Sequence, residues 1–374
     1  MEGRSDIDIV FSKAQQSDDG IGDHTRILAT ELLARGHRVR VLGAGPDVGL
    51  LGAVPYINAW PEGDLRSTDV LRDLLTRGGA TTVLLQMEQF SYGTRGYNPE
   101  FSRLFGELRA PAPRTRRVLV AHETYPSPTS AGRAVMWAYQ RRQIRRLARD
   151  ADSVLVTCDW WAERLGSVNE NLAVVPAFSN IPRLESVPAD TRAALGFGPD
   201  ELLIVAFGHL NPLRIRLIGA AIDALDSAAR ARLVYIGKDV AAAGELNING
   251  GMVVRERANA REVSEILNAA DLALSPFEGG VSGKRGSFAA FMAHEVPTVT
   301  TVGRHTDQYL RTAAAVGAFE IAEPTPKAFA AAAVRLASDS GRRSRMRTLT
   351  RAAFGYIATA QAAADAVEHI VDGV

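Results

Sequence analysis

The sequence predicts an α/β protein built from two Rossmann-like, doubly wound parallel-sheet domains. Three observations predict it. Apolar strand patterns alternate with helical patterns along the chain. A glycine-bearing loop lies between a strand and a helix in each half. A proline-rich stretch without periodicity, 176–188, divides the chain near its middle. A chain of 374 residues normally makes two domains, and each half is long enough to bury its own core.

The first half opens with an apolar run, 7–11. A helix pattern follows over 25–35, with Leu28, Leu32 and Leu33 as its apolar stripe and Gly36 at its stop. Further strands are expected near 39–42, 82–87, 117–121, 153–157 and 172–175, with a helix over 134–149 before the fifth. The second half restarts the pattern, with strands near 202–207, 232–236, 252–254, 271–275 and 297–301. The last segment, 348–370, reads as one long alanine-rich helix. The domains are therefore placed at 1–180 and 181–347, with a C-terminal helix over 348–374.

A net charge of +1 gives no nucleic-acid footprint. The arginines between 141 and 149 alternate with apolar residues at helical spacing and read as one wet helix face. The single cysteine, Cys158, excludes a disulfide framework and any cysteine-based metal site. The polar first residues and the lack of a long apolar run predict a cytoplasmic protein that is not integral to a membrane, as monomer or homodimer.

The most informative stretch is 275–301, SPFEGGVSGKRGSFAAFMAHEVPTVTT. A strand ends near Ser275, a loop carries Ser282, Gly283, Lys284, Arg285 and Gly286, and a helix starts at about Ser287. Backbone N–H groups, a helix N-terminus and two cations are aimed at one point, which suits a diphosphate. Gly283 and Gly286 leave room for close backbone approach. The alternative is a solvated loop with two exposed bases, and it must also account for a second such loop. That loop, 17–24, holds Asp18, Asp19, Gly20, Gly22, Asp23 and His24 but no GxGxxG. Its carboxylates would repel a diphosphate set directly on them. It reads as an approach to a sugar or acceptor hydroxyl, with Gly20 and Gly22 giving backbone access and Gly22 also near the diphosphate.

Strand C-termini in open α/β sheets face the ligand crevice. His122 and Glu123 follow the strand 117–121, and Glu88 and Tyr92 follow 82–87. They are candidate sugar or acceptor contacts, as is Glu278 beside the basic loop. Glu88 reads equally as a partner for Arg95, and His122 as a histidine bonded to its own loop. Trp160 and Trp161 read as packing, and Met87 as filler. Arg255, Arg257 and Ala258, after the strand 252–254, are candidate nucleoside contacts. The acidic set Asp18, Asp19, Asp23, Glu88 and Glu123 would favour a cationic acceptor if its members converge.

Together these motifs resemble retaining glycosyltransferases of family 4 and their GT-B architecture. GIGDHTRILATELLARGHRVRVL is similar to the family's N-terminal loop and helix. Phe207 to Arg214, FGHLNPLR, resembles G-R-L-x-P-x-K-G, with Gly208 and Pro212 matching, His209 in place of Arg and Arg214 in place of Lys. MAHEVPTVTT resembles M-A-C-G-x-P-V-V-T. The resemblance implies a ligand cleft between the domains and a C-terminal helix crossing back to the first. It also implies transfer of a sugar from a nucleoside-diphosphate sugar, as co-substrate and not cofactor, to a small hydroxyl- or amine-bearing acceptor. His209 and Arg214 would hold the diphosphate, His122 would hydrogen-bond the donor sugar, and Asp23 or His122 would orient sugar or acceptor. Front-face attack, with the leaving diphosphate helping to deprotonate the acceptor, would need neither a protein base nor a metal.

The chain departs from the family at one place. The two glutamates that usually meet the donor sugar and the ribose correspond to Ser282 and Ala290. Sugar recognition therefore differs from the common pattern. A nucleotide-sugar epimerase, a pseudo-glycosyltransferase coupling a cyclitol, and a non-catalytic partner of the same fold remain as alternatives.

Overall fold

The computed structural model describes residues 5–15, 19–46, 48–61, 68–108, 115–125, 127–185, 190–198, 200–226, 231–246, 252–256, 258–357 and 359–372. The chain forms two compact units, Met1–Pro176 with Ala360–Val374, and Ala177–Thr359.

The first unit holds an eight-stranded sheet. In chain order its strands are β1 (Asp6–Val10), β2 (Arg38–Ala44), β3 (Leu50–Leu51), β4 (Val54–Trp60), β5 (Thr82–Met87), β6 (Arg116–Ala121), β7 (Ser153–Val156) and β8 (Leu172–Val174). The spatial order is β3-β4-β2-β1-β5-β6-β7-β8. All pairs are parallel except β3 with β4. The second unit holds β9 (Leu202–Phe207), β10 (Ala231–Ile236), β11 (Met252–Arg255), β12 (Leu272–Ser275), β13 (Thr298–Thr301) and β14 (Glu320–Ala322). Their order is β11-β10-β9-β12-β13-β14, all parallel.

These strands are apolar on both faces because helices cover both. On β9, Leu203 and Val205 join one core cluster while Ile204 and Ala206 join another; β10 divides Val234 and Ile236 from Leu233 and Tyr235 in the same way. Each sheet runs outward in two directions from its first strand. The switch point therefore lies between β1 and β5 in one unit and between β9 and β12 in the other, where doubly wound sheets place ligands.

Most strands fall within a residue of their predicted places, and the differences have local causes. The first helix is Gly20–Ala34 and starts well before residue 25, because the Asp19 carboxylate caps it, accepting from Ile21 N–H (3.0 Å) and Gly22 N–H (2.8 Å). Strands β3 and β4 escape the pattern because Pro55 interrupts the apolar run and β3 is two residues long. The expected single C-terminal helix is two, Ser340–Phe354 and Ala360–Asp372, with Gly355 at the break. The second of these belongs to the first unit. There Arg35 bonds Glu31 (2.9 Å), Glu368 (2.6 Å) and Asp365, and His37 Nε2 meets Glu368 at 2.9 Å. No helix among the described residues is long and apolar enough to cross a membrane.

Candidate functional site

At the switch point of the second unit, β9 ends at Phe207 and the chain turns through Gly208. Gly208 has φ +97°, a conformation that glycine adopts without strain. A Cβ there would lie 3.6 Å from both Arg214 Nη1 and Ser287 Oγ, so the backbone, the guanidinium and the next helix start are immediate neighbours. Asn211 accepts from Arg214 N–H at 2.9 Å and opens the helix Pro212–Asp226. The Arg214 side chain is buried and folds back, donating to the carbonyls of His209 (2.6 Å) and Phe207 (3.0 Å). Among the described residues its Nε has no partner. Burial, reinforced by the charge of Arg285, lowers its pKa to about 10, while Tyr235 and Asp239 oppose the shift; the group stays cationic at neutral pH.

The basic loop meets it from the other side. Arg285 and Arg214 both lie over the ring of Phe277, 4.9 and 5.6 Å from its centroid. The helix that follows is Gly286–Ala293, and no side chain caps it. A Cβ on Gly286 would meet nothing within 4 Å, so the backbone is open there. Lys284 and Ser287 are half-buried in the same turn. The loop is held firmly. Thr301 Oγ1 accepts from Phe277 N–H and donates to Phe277 O, both at 2.8 Å, and Val281 N–H donates to Thr301 O at 2.9 Å. Ser282 is buried and its carbonyl accepts from Arg285 N–H at 3.1 Å.

Several predicted contacts have other work. Gly283 N–H donates to the Asp307 carboxylate at 2.5 Å, and its carbonyl accepts from Ala177 at 2.8 Å; a phosphate would have to displace that carboxylate to reach it. His209 is 75% exposed, with Nδ1 2.8 Å from Asp239 Oδ2, an atom that also accepts from Leu210 N–H at 2.8 Å. Burial opposes the change, but these bonds hold the Asp239 carboxyl below the ordinary range. Arg255 Nε lies 3.3 Å from Glu262, and Ala258 packs against the core. Arg257 lies outside the described residues. Glu278 is exposed. At the family's glutamate positions, Ser282 is 3% and Ala290 0% exposed.

In the first unit, the acidic residues mostly answer their own segments. Gly20 is exposed, but Gly22 N–H is taken by Asp19, so it is not available to a diphosphate. Asp23 pairs with Arg26 one turn along. Glu88 accepts from Phe90 N–H (3.0 Å) and Ser91 Oγ (2.7 Å) and caps a short helical turn. Tyr92, expected among the acceptor contacts, is a core residue. It is 1% exposed, stacks on Phe101 with ring centroids 4.5 Å apart, and sets its hydroxyl 2.8 Å from Gln86 O and 3.1 Å from Val10 O. Glu123 is exposed, and Asp18 lies outside the described residues. Trp160 and Trp161 stack at 4.4 Å with Arg164 over both. His122 and His24 do come together, edge to face at 4.8 Å. Burial lowers the His122 pKa to about 4, and burial, with His122 beside it, also holds that of His24 well below the ordinary imidazole value.

Phe277 and Asp239 in the second unit, and Gln86 in the first, are residues that periodicity did not single out. All three sit at or just past strand ends, and that position was the available signal. Among the described residues, no cluster of three or more His, Cys, Asp or Glu side chains could hold a metal ion.

Two family models match the chain, one described as a glycosyl transferase 4-like domain over residues 19–177, the other as glycosyl transferases group 1 over residues 201–339. Between them they span both switch-point sites. The chain belongs to the GT-B glycosyltransferases of the family 4-like type. Solved structures agree on the fold of this glycosyltransferase. Sucrose-phosphate synthase from Thermosynechococcus elongatus is 15% identical, with 97% of each chain covered and a TM-score of 0.70. HepE from Anabaena, solved with UDP and glucose, is 13% identical, with 99% of this chain and all of that one covered and a TM-score of 0.68. A putative UDP-N-acetylglucosamine 2-epimerase from Listeria monocytogenes is 12% identical, with 92% and 91% covered and a TM-score of 0.54. Fold alone therefore does not separate transferase from epimerase, and the family models do. No curated protein matches the enzyme in sequence.

Proposed function

We propose that this glycosyltransferase moves a sugar from a nucleoside-diphosphate sugar to a small hydroxyl- or amine-bearing acceptor, with retention and without a metal ion. One observation carries the donor part: Arg214 and Arg285 share the face of Phe277 beside Gly208 and the uncapped start of the helix Gly286–Ala293. Such a turn concentrates cationic charge and open N–H groups where a diphosphate gains negative charge as it leaves. Arg214 and Arg285, with Lys284, would stabilise that charge. The departing oxygen takes the acceptor proton, so no protein base is required. His122, kept neutral by burial, would hydrogen-bond the donor sugar.

An amine acceptor finds fewer available carboxylates than the sequence suggests, since Asp19 and Glu88 act as caps and Asp23 pairs with Arg26. The acceptor is thus read as a hydroxyl or amine on a small molecule, without a demand for positive charge. The test is calorimetry with UDP, GDP, dTDP and ADP, followed by mass spectrometry of products made from the matching sugar donor. UDP is tried first, because HepE was solved with it. The expected result is binding of one nucleotide, weakened at least about tenfold by Arg285→Ala. Binding of none would overturn the donor assignment.

A further inference from the structure

We propose that Gln86 is a positioning residue for glycosyl transfer: its buried amide fixes the tautomer of His122, so that the ring offers an unprotonated Nδ1 to a hydroxyl of the donor sugar. This rests on the reading of His122 as a sugar contact.

The geometry starts with the sheet. β5 and β6 are adjacent and parallel, with Gln86 opposite Val120 and Met87 opposite Ala121. His122 continues that ladder, its N–H donating to Met87 O at 3.0 Å. Its side chain is thereby brought beside Gln86, and Nε2 lies 2.6 Å from Gln86 Oε1. An amide oxygen only accepts hydrogen bonds, so Nε2 must carry the proton. A neutral imidazole has one ring proton, and Nδ1 is then an acceptor. Two more groups hold the residue: Trp161 Nε1 donates to His122 O at 3.1 Å, and the His24 ring stands edge-on at 4.8 Å. His24 from the first helix, Gln86 from β5 and Trp161 from the helix Asp159–Leu165 are thus the neighbours that decide the state of the ring, and none carries a negative charge. Burial holds both histidines below the ordinary imidazole range, which keeps the pair neutral.

Gln86 itself is 0% exposed and cannot touch a ligand. Its Nε2 is buried with no partner among the described residues. A methionine or leucine would fill the same space without stranding an amide donor. Stability alone therefore disfavours a glutamine at this point of a core strand. Its bond to His122 is what the side chain contributes.

The test uses the full-length enzyme labelled with 15N-histidine, with two-bond proton–nitrogen correlations to read the His122 tautomer. The expected wild-type state is Nε2–H. Gln86→Met should lose that preference and lower kcat by about tenfold, the loss of one oriented hydrogen bond, with a smaller change in KM and no loss of melting temperature. Gln86→Glu places a carboxylate against Nε2, favours the imidazolium, and should add an activity loss on the acid side of the pH profile. A wild-type ring protonated on Nδ1, or a Gln86→Met enzyme with unchanged tautomer and kcat, overturns the role of Gln86. Full activity in His122→Ala overturns instead the reading of His122 on which it rests.

Discussion

At the switch point of the eight-stranded sheet, Asp19, Asp23 and Glu88 each answer a donor in their own segment: two helix caps and one pair along a helix turn. At the same topological point of the six-stranded sheet, Arg214 donates to two carbonyls, burial and the nearby Arg285 lower its proton affinity, and the adjoining helix has no side-chain cap. A loop whose charges are met locally is complete as folded. A loop that gathers like charges at a helix start without a side-chain cap suits an anion. Both loops looked alike as strings of glycine and charge. They differ in the sign of the charge they gather and in the helix start, which Asp19 caps in one and no side chain caps in the other.

The largest expected effect tests the second loop. Arg214→Ala should lower kcat/KM by roughly a hundredfold or more, as removal of one preorganised contact to a leaving group does. It should also lower the melting temperature, since the carbonyls of Phe207 and His209 lose their donor. Arg214→Lys keeps the charge but not the fork, and should fall between. Near wild-type turnover in a cooperatively melting Arg214→Ala enzyme would remove the diphosphate assignment.

Next comes the double substitution Lys284→Ala with Arg285→Ala. It should abolish the thermal shift produced by the preferred nucleoside diphosphate, a stabilisation of a few kcal/mol at saturation in the wild type. Asp23→Asn with Glu88→Gln should leave that shift in place. Equal losses from both pairs would erase the contrast between the two loops.

The contrast also shows how far the sequence could be read. Alternation of strand and helix was legible because buried parallel strands and covering helices leave apolar runs at fixed spacing. The basic loop was legible because glycine, lysine and arginine crowd a strand end. The role of Asp19 was not, because a capping carboxylate and a ligand-facing one look the same until the N–H partners are known. Tyr92 was misread for the opposite reason: a tyrosine just beyond a strand end suggests the crevice, but its ring stacks on Phe101 and its hydroxyl finds carbonyls inside. Phe277 escaped because only the fold sets two guanidinium groups on one ring.

A smaller effect lies at the far end of the same uncapped helix. Glu295 stands where the resembled motif has glycine, and it has φ +56°. Its N–H donates to Met292 O and the next N–H, of Val296, to Phe291 O, a left-handed helix stop that glycine normally makes. Ion pairs offset the strain: Arg351 Nε lies 2.7 Å from the Glu295 carboxylate, and Arg183 also meets it. Burial opposes the shift, but these two arginines bring its pKa from 4.5 to about 2. A depressed pKa adds stability that is present above about pH 4.5 and is lost as pH falls toward about 2. Because Arg351 is exposed, the contribution is on the order of 2 kcal/mol. Glu295→Gln should therefore melt lower than wild type at neutral pH, and the gap should close on acidification through that window. A gap independent of pH would show that the carboxylate is not what holds the turn.

The smallest effect belongs to Glu88. If its oxygens serve only Phe90 N–H and Ser91 Oγ, Glu88→Gln keeps one acceptor for the backbone and loses little else. Acceptor KM should change less than about twofold, and stability should fall by roughly 0.5–1 kcal/mol, as when a cap is weakened. A panel of neutral and amine acceptors makes the measurement informative. A charge-assisted bond from a bound ammonium to this carboxylate would be worth about 1.5–3 kcal/mol, and its loss would raise KM for amines at least about tenfold while leaving neutral acceptors unchanged. That selective rise would show the turn after β5 to be a binding surface as well as a capped turn, and the two switch points would then differ in the sign of the ligand they await.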